Sequence, residues 1–501
     1  MRGSSTWNCY TARVLRAVPS PAHAPSSAAA APALDRQWAD YFERLLDHPL
    51  RFGSPRRLLQ DDLVAALRLA VPKAARVLEV GVGGGAVLSQ LPNETRVGID
   101  ALPRAVERAR AADGAMRIDL ADALTLDLDE KFDAIICDRL CHTVPDVQRL
   151  LERLASHLTD DGRIFLTCFN FLWSLPLAAG ERLGFKEPSP QENWFSETAL
   201  DDLFRLADLE VVKTDDRLSM PVPVPLVSRL INRIAPKVQP TRTFALYRIY
   251  TLAKARPRRP ARPKVTVIVP ARNESGNILA AVQRTPVMGA GTELIFVEGN
   301  STDDTWDTIQ RVVKEYRGPL ELRCMQQPGK GKGDAVRTGF AVATGDILMI
   351  LDADLTVPPE DLPKFYDAIA TGKADYVHGT RLVYPMEDEA MRFLNRIGNT
   401  FFAETFSFLL DQPIKDTLCG TKVLWKKDYE RIAENRSYFG DFDPFGDFDL
   451  IFGAAKLNLR ILEVPIRYKA RTYGETNISR FRHGLLLLRM SAFAAKKIKF
   501  V

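Results

Sequence analysis

The sequence predicts two doubly wound α/β domains in tandem, and three observations carry that prediction. Two series of short, β-branched strands each end in glycine-rich or acidic loops. Apolar residues at three- and four-residue spacing fill the intervals between strands, and a basic, proline-rich stretch at residues 253–264 separates the two series. A chain of 501 residues has room for roughly two to four domains, and 46% apolar residues are enough to fill their cores.

The chain opens without an acidic residue before Asp35, with prolines, serines and an alanine run, a composition that buries too little surface to fold. Residues 1–35 are therefore expected to form a disordered tail. Helical spacing follows in Phe42, Leu45 and Leu46 and then in Leu63, Val64, Leu67 and Val71. Arg76-Val77-Leu78-Glu79-Val80 reads as a strand running into Gly81-Val82-Gly83-Gly84-Gly85-Ala86. Val97-Gly98-Ile99 forms a second strand ending in Asp100, and Asp119 and Asp122-Ala123 follow a third. Phe132 to Asp138 makes a fourth. Val147, Leu150, Leu151, Leu154 and Leu158 mark a helix that leads through Asp160-Asp161-Gly162 to a strand at Arg163–Thr167. Residues 209–212 and 246–252 close the series as a strand pair.

Glycines between a strand and a helix let the backbone approach a ligand closely. Asp100, seventeen positions beyond Gly83, is an acid placed to take both hydroxyls of a ribose. Gly81-x-Gly83-x-x-Ala86 also satisfies a dinucleotide fingerprint, so an NAD-linked oxidoreductase stays open on this run alone. With Glu79-x-Gly81-x-Gly83-x-Gly85, Asp100, Asp122-Ala123 and Asp138 taken together, residues 36–252 resemble a class I S-adenosylmethionine-dependent methyltransferase with a Rossmann-like fold. The resemblance implies S-adenosylmethionine as cofactor. The loop glycines would pass its methionine part, Asp100 would hold its ribose and Asp122 would reach its adenine amino group. Methyl transfer asks mainly for in-line positioning. His142 is a candidate base for the acceptor, with a packing histidine as the alternative. A catalytically silent docking domain is the other rival.

In residues 253–264, prolines 257, 260 and 263 alternate with Arg256, Arg258, Arg259, Arg262 and Lys264, which predicts an extended linker. It is either solvated or in contact with anionic lipid.

The second half, residues 265–501, begins with a strand at Val265–Pro270 that runs into Ala271-Arg272-Asn273-Glu274. A strand at Leu294–Val297 enters Glu298-Gly299-Asn300-Ser301-Thr302-Asp303-Asp304-Thr305. Further on, Ile347–Leu351 delivers Asp352 and Asp354, one residue apart, into a turn. Two carboxylates so placed suit a hard divalent cation that keeps one side for phosphates. Pro328-Gly329-Lys330-Gly331-Lys332-Gly333-Asp334 is not a P-loop, because Cys324 and Gln326 stand where its first glycine belongs. In an open α/β sheet these loops line one crevice at the strands' carboxyl ends.

On Pro270 to Glu274, Asn300 to Thr305, Gly331-Lys332-Gly333, Asp352-Ala353-Asp354, Gly379-Thr380-Arg381 and Arg471 to Asn477, this half resembles a family 2 glycosyltransferase. Within that family it is similar to the dolichyl- or polyprenyl-phosphate sugar transferases. The resemblance implies an A-type nucleotide-diphospho-sugar transferase fold and inverting transfer, with Mg²⁺ or Mn²⁺ on Asp352 and Asp354. It implies that the nucleotide-sugar touches Pro270, Arg272, Glu274, Glu298, Asn300, Ser301 and Asp303, then Lys332, Gly333, Asp334 and Ala353, and finally Thr476 and Asn477. Arg381 and Arg471 would neutralise phosphate. Asp447 and Asp449 are either the base for a hydroxyl acceptor or structural, and a polyprenyl phosphate would need no base. Glu298-Gly299 departs from the aspartate pair usual in such enzymes.

Large apolar residues fill a helix over residues 389–410, and basic residues bracket an apolar run at 480–499, which together predict contact with a membrane surface. No apolar run reaches the roughly 18 to 20 residues that span a bilayer. The net charge of +5 is too mild to argue for nucleic acid. Six scattered cysteines fit buried thiols in a reducing compartment, and Cys137, Cys141 and His142 lack zinc spacing. The expected location is the cytoplasmic face of a membrane, held peripherally.

Overall fold

Aliphatic and β-branched runs form two seven-stranded sheets within the unit Leu34–Val501. The computed structural model describes residues 35–47, 54–184, 186–224, 226–381, 393–435, 447–467, 473 and 480–500. The first sheet contains β1 (Val77–Val80), β2 (Arg96–Asp100), β3 (Arg117–Leu120), β4 (Phe132–Asp138), β5 (Leu158–Phe169), β6 (Leu209–Arg217) and β7 (Tyr247–Lys254). Its order is β3-β2-β1-β4-β5-β7-β6, with β7 antiparallel to both neighbours. The second contains β8 (Val265–Ala271), β9 (Thr292–Glu298), β10 (Glu321–Gln326), β11 (Ile347–Ile350), β12 (Tyr376–Thr380), β13 (Lys422–Trp425) and β14 (Ile461–Pro465). Here the order is β10-β9-β8-β11-β13-β12-β14, and β13 is the antiparallel strand.

Each order reverses direction once near its centre, between β1 and β4 and between β8 and β11. Loops leaving those paired strands diverge, which opens a crevice at their carboxyl ends. Residue alternation on β11 shows why the sheet must be covered twice. Ile347 and Met349 enter one core cluster, whereas Leu348 and Ile350 enter another.

Several local expectations are revised. Leu158 is the first residue of β5 rather than the end of a helix, and Asp160-Asp161-Gly162 lie inside that strand, because the preceding helix already stops at Ser156. Asp119 belongs to β3 itself, paired with Ile99. In the helix Phe393–Leu410, Phe402, Phe406, Leu409 and Leu410 are core residues, while Phe401 and Phe408 are exposed.

The basic linker also differs from an extended, solvated tether. Ala253 and Lys254 still pair with β6, and Arg259 then turns inward with a side chain only 6% exposed. Its guanidinium donates to Asp161 Oδ1 at 2.6 Å and Asp375 Oδ1 at 2.7 Å, and lies over the Trp425 ring. Asp375 also receives Arg163 from β5 at 2.7 Å and Arg460 at 2.9 Å. Arg460 reaches back to Glu210 on β6 at 2.7 Å, and Arg163 Nε donates to the Asn458 carbonyl at 2.7 Å. Three arginines from three parts of the chain thus converge on one buried carboxylate, which welds the two sheets together.

Candidate active sites

In the first crevice Gly81, Gly83 and Gly85 have φ of +78°, +52° and +75°, the left-handed region that favours glycine. A Cβ on Gly85 would meet the Ala109 backbone at 3.0 Å, whereas one on Gly83 would meet nothing within 4 Å, so the space above the loop is open. Asp100, at the end of β2, pins the loop by accepting from Gly83 N at 2.9 Å and Leu102 N at 2.9 Å. A carboxylate offers about four lone-pair sites. Asp100 therefore keeps acceptors for a diol, and these residues fit the cofactor that the resemblance implies.

Glu79 is 2% exposed and accepts from Leu88 N at 3.0 Å. Burial, with Asp138 and Asp100 nearby, pushes its carboxyl well above the ordinary value. Burial would also raise Asp138, but Arg139, which donates to it at 3.0 and 2.5 Å, and Thr167 Oγ1 at 2.6 Å hold it below. Asp122 Oδ1 accepts from Leu124 N at 2.8 Å and so shapes its own turn, with Ala123 partly buried inside it. The helix Arg36–Asp47 is tied to the helix Pro103–Ala112 that follows Asp100, through Glu43 and Asp47, which bind Arg104 at 2.7 and 2.6 Å.

His142 cannot serve as the acceptor's base. Its Nδ1 lies 2.6 Å from the Asn193 carbonyl, and its Nε2 accepts from Phe169 N at 2.9 Å. Both nitrogens are therefore spent on backbone groups, the ring is 2% exposed, and burial lowers its basicity. Cys141, His142 and Cys168 do converge, with 3.0 Å between the sulfurs, although sequence spacing gave no hint of it. The occupied imidazole leaves no lone pair for a metal.

The second crevice is stitched from the loops after β8, β9, β10 and β11. Beyond Pro270 at the end of β8, Arg272 is exposed, and Asn273, with φ +56°, donates from N to Ser301 Oγ at 3.1 Å. Glu274 N bonds Thr305 Oγ1 at 2.9 Å, and its carboxylate accepts from Asn277 Nδ2 at 2.8 Å. Glu298 is 2% exposed and accepts from Ser301 N at 2.5 Å and Gln326 Nε2 at 3.1 Å. Asp303 accepts from Thr305 Oγ1 at 2.5 Å at the start of the helix Thr305–Glu315. Asn300 Nδ2 reaches the Gly329 carbonyl at 3.2 Å, and Gly329 N reaches Asp334 at 2.8 Å. Tyr473 OH lies 3.1 Å from Ser275 Oγ.

Lys332 opens the helix Lys332–Val342, with Gly333 buried behind it, and its ammonium meets Asp352 Oδ1 at 2.7 Å. Burial alone raises Asp352, but Lys332, with Lys422 and Arg381 beyond it, holds the carboxyl below its ordinary value. Ala353 is buried, and Asp354 Oδ1 accepts from Thr356 Oγ1 at 2.9 Å. Leu355 between them has φ +52°, a strained conformation for leucine of the kind found at functional turns. Two carboxylates one residue apart, with Asp352 held anionic by Lys332, offer oxygen-only donors that fit a hard divalent cation.

Arg381 is clamped by Asp416, from Nε at 2.7 Å and Nη2 at 2.8 Å. Asp449 lies 3.6 Å from Arg337 on the helix that Lys332 begins. Arg471, Thr476, Asn477 and the side chain of Asp447 lie outside the described residues. Three participants escaped sequence reading. Asp416 and Lys422 look like ordinary surface charges in sequence, and a Cβ on Gly420 would fall 1.9 Å from Asp352 Oδ2. The available signal was a lysine opening an otherwise apolar strand, Lys-Val-Leu-Trp, and the structure buries it fully.

Asp100→Ala is expected to weaken S-adenosylhomocysteine binding about tenfold or more in calorimetry on the full chain. Unchanged affinity would remove Asp100 from the ribose site.

Residues 266–433 match the family described as glycosyl transferase family 2, and residues 34–214 match a methyltransferase domain. Dolichyl-phosphate hexose transferase of Haloferax volcanii is 31% identical over 211 residues, 42% of this chain and 82% of that protein. Dolichol-phosphate mannosyltransferase of Pyrococcus furiosus is 29% identical over 219 residues, 43% of this chain and 59% of that protein. Among solved structures, a Thermotoga maritima S-adenosylmethionine-dependent methyltransferase shows 20% identity and a TM-score of 0.35, covering 44% of this chain and 99% of its own. Glucosyl-3-phosphoglycerate synthase of Mycobacterium tuberculosis, solved with Mn²⁺ and UDP, shows 19% identity and a TM-score of 0.34, covering 47% and 80%.

Proposed function

Because the chain belongs to the family 2 glycosyltransferases through its second half, we propose that it moves a hexosyl group from a nucleotide-sugar to a polyprenyl phosphate. The observation that carries this reading is the Lys332–Asp352–Asp354 constellation at the point where the strand order reverses. Asp352 and Asp354 would hold Mg²⁺ or Mn²⁺, and that ion would neutralise the departing nucleoside diphosphate. Lys332 and Lys422 add positive potential on the same side. A phosphate acceptor is already anionic near neutral pH, with a second pKa of about 6, so no side chain has to remove its proton. Catalysis would then rest mainly on holding the attacking oxygen in line with the departing diphosphate.

The lipid character of the acceptor is supported by the two curated relatives, named for dolichol- or dolichyl-phosphate, and by surface chemistry. Phe401 and Phe408 are exposed on the helix Phe393–Leu410, and Lys496 and Lys497 are exposed near the carboxyl terminus. No helix among the described residues is long and apolar enough to cross a membrane. Peripheral attachment at the cytoplasmic face fits both features, since prenyl methylenes resist leaving lipid by roughly 0.8 kcal/mol each.

In the first half, S-adenosylmethionine would supply an already activated methyl group. The loop from Gly81 to Gly85 and Asp100 would fix its orientation toward an acceptor.

The test is mass spectrometry of products formed from a panel of nucleotide-sugars, with polyprenyl phosphate and the matching polyprenol offered separately. Glycosylated polyprenyl phosphate is the expected product. Product from the polyprenol alone would move the assignment to a hydroxyl acceptor with Asp449 as candidate base. Co-sedimentation with anionic vesicles is expected to weaken as salt rises, at about 1 kcal/mol per basic residue engaged. Full recovery in the supernatant at low salt would refute membrane attachment.

A further inference from the structure

The helix Val227–Ile234, in the connection between β6 and β7, turns its apolar face outward. Val227, Leu230, Ile231 and Ile234 recur at the spacing of one helical face, and all four are exposed, Leu230 by 61%. The other face carries the polar side chains and is used up inside. Ser228 is buried and donates to the Val224 carbonyl at 2.8 Å, and Asn232 clasps Met220 by accepting from its N at 2.7 Å and donating to its carbonyl at 2.9 Å.

Strand directions place this helix at the cofactor edge. β5 and β6 both pair antiparallel with β7, with Phe169 and Arg217 each opposite Tyr247, and β5 runs parallel to β4 and β1. The connection 218–246 therefore leaves the sheet at the same end as the loop from Gly81 to Gly85. The turn Thr241–Phe244 folds back on the end of the helix, with Thr241 Oγ1 and Arg242 N bonded to the Ala235 and Val238 carbonyls at 2.8 Å each. Trp173 Nε1 donates to the Phe244 carbonyl at 3.1 Å, which brings exposed Phe171 and Leu172 beside exposed Phe244. A folded chain seldom leaves a rim of this kind in water unless something covers it.

Charge decides what covers it. Residues 218–246 carry Arg229, Arg233, Lys237 and Arg242 and no aspartate or glutamate. Lys237 and Arg242 are paired with Asp215 and Asp216, whereas Arg229 and Arg233, four residues apart, are exposed along one flank of the apolar face. A second copy seated across a two-fold axis would bring one such basic face up to another, with no acid in the segment to offset them. An anionic bilayer instead takes the apolar face into its headgroup boundary and offers the arginines its phosphates. The rim also continues into the carboxyl-terminal segment, since Arg233 Nε donates to the Phe500 carbonyl at 2.8 Å and the Phe500 ring lies 6.2 Å from that of exposed Phe408.

We propose that the helix Val227–Ile234 and the turns beside it dock the methyltransferase half on an anionic lipid bilayer, at the edge where its cofactor crevice opens. This contact rests on the membrane attachment proposed for the transferase half but uses residues of its own.

The full chain is co-sedimented with vesicles of phosphatidylcholine and phosphatidylglycerol, as the parent, as a helix variant (Leu230→Ser with Ile234→Ser) and as a transferase variant (Phe401→Ser with Phe408→Ser). Leu230 and Ile234 are exposed, so the helix variant is expected to unfold at the parent's temperature. Its vesicle affinity is expected to fall about tenfold or more. Leu230→Trp, which keeps an apolar group, is expected to bind as the parent does and to add emission that bromine-labelled acyl chains quench. Equal binding by the parent and the helix variant, with loss only in the transferase variant, would overturn this contact and leave the transferase half's attachment standing. A parent that stays in the supernatant would overturn both. Sedimentation equilibrium without lipid checks the rival occupant, because a parent dimer that dissociates in the helix variant would assign the face to a second copy and overturn the proposal.

Discussion

Asp354→Ala is expected to abolish sugar transfer while the protein remains folded. A divalent ion on Asp352 and Asp354 would supply several kcal/mol of transition-state charge stabilisation, about a thousandfold or more in rate. Alanine, however, also removes the bond to Thr356 Oγ1 that shapes the turn through strained Leu355. Asp354→Asn separates the two effects, because its amide oxygen keeps the Thr356 contact and loses the charge. Both variants should be inactive, and the parent should lose turnover in excess chelator and regain it with Mg²⁺ or Mn²⁺. Undiminished turnover in Asp354→Asn or in chelator would end the metal-dependent reading.

Asp375→Ala should destabilise the whole chain by about 3–5 kcal/mol, since it strands buried Arg163, Arg259 and Arg460 without their shared partner. Replacing the carboxylate with Asn is expected to cost nearly as much, because the missing charge rather than missing volume leaves the guanidiniums unbalanced. Chemical unfolding followed by probes in each half is expected to give one transition in the parent, moved to lower denaturant in both variants. A loss below about 1 kcal/mol would mean that the cluster is solvated and of surface strength.

The same carboxylate predicts acid sensitivity. Burial alone would raise Asp375, but Arg163, Arg460 and Arg259 hold it below its ordinary value in the folded chain. A depressed folded pKa gives stability that is complete above the unfolded value of about 3.9 and is lost as pH falls below it. The acid limb of the parent's stability profile should therefore flatten in Asp375→Ala.

Strand positions and the two crevices were legible because each depends on neighbours in sequence. The β1 loop announces itself through glycines that must take positive φ, and Asp352 through a buried run that stops at an acid. Pairings across long intervals were hidden. Arg259 finds Asp375 from 116 residues away, and a charge run read locally looks like a solvated linker. His142 looks like a base until the Asn193 carbonyl, 51 residues on, takes its Nδ1. Leu158 continued a helical spacing by chance, and only pairing with Phe132 shows it to be strand.

The arginines around Asp375 change what the union of the two halves means. Cut between β7 and β8, the first fragment would keep Arg163 with no carboxylate from the second, and the second would keep Asp375 and Arg460 facing water where Arg163 and Glu210 had been. Neither piece would inherit a finished surface. Tandem domains are often joined by tethers that can be cut without harm, whereas here each half completes the other's charge balance, so the two are expected to persist or unfold together.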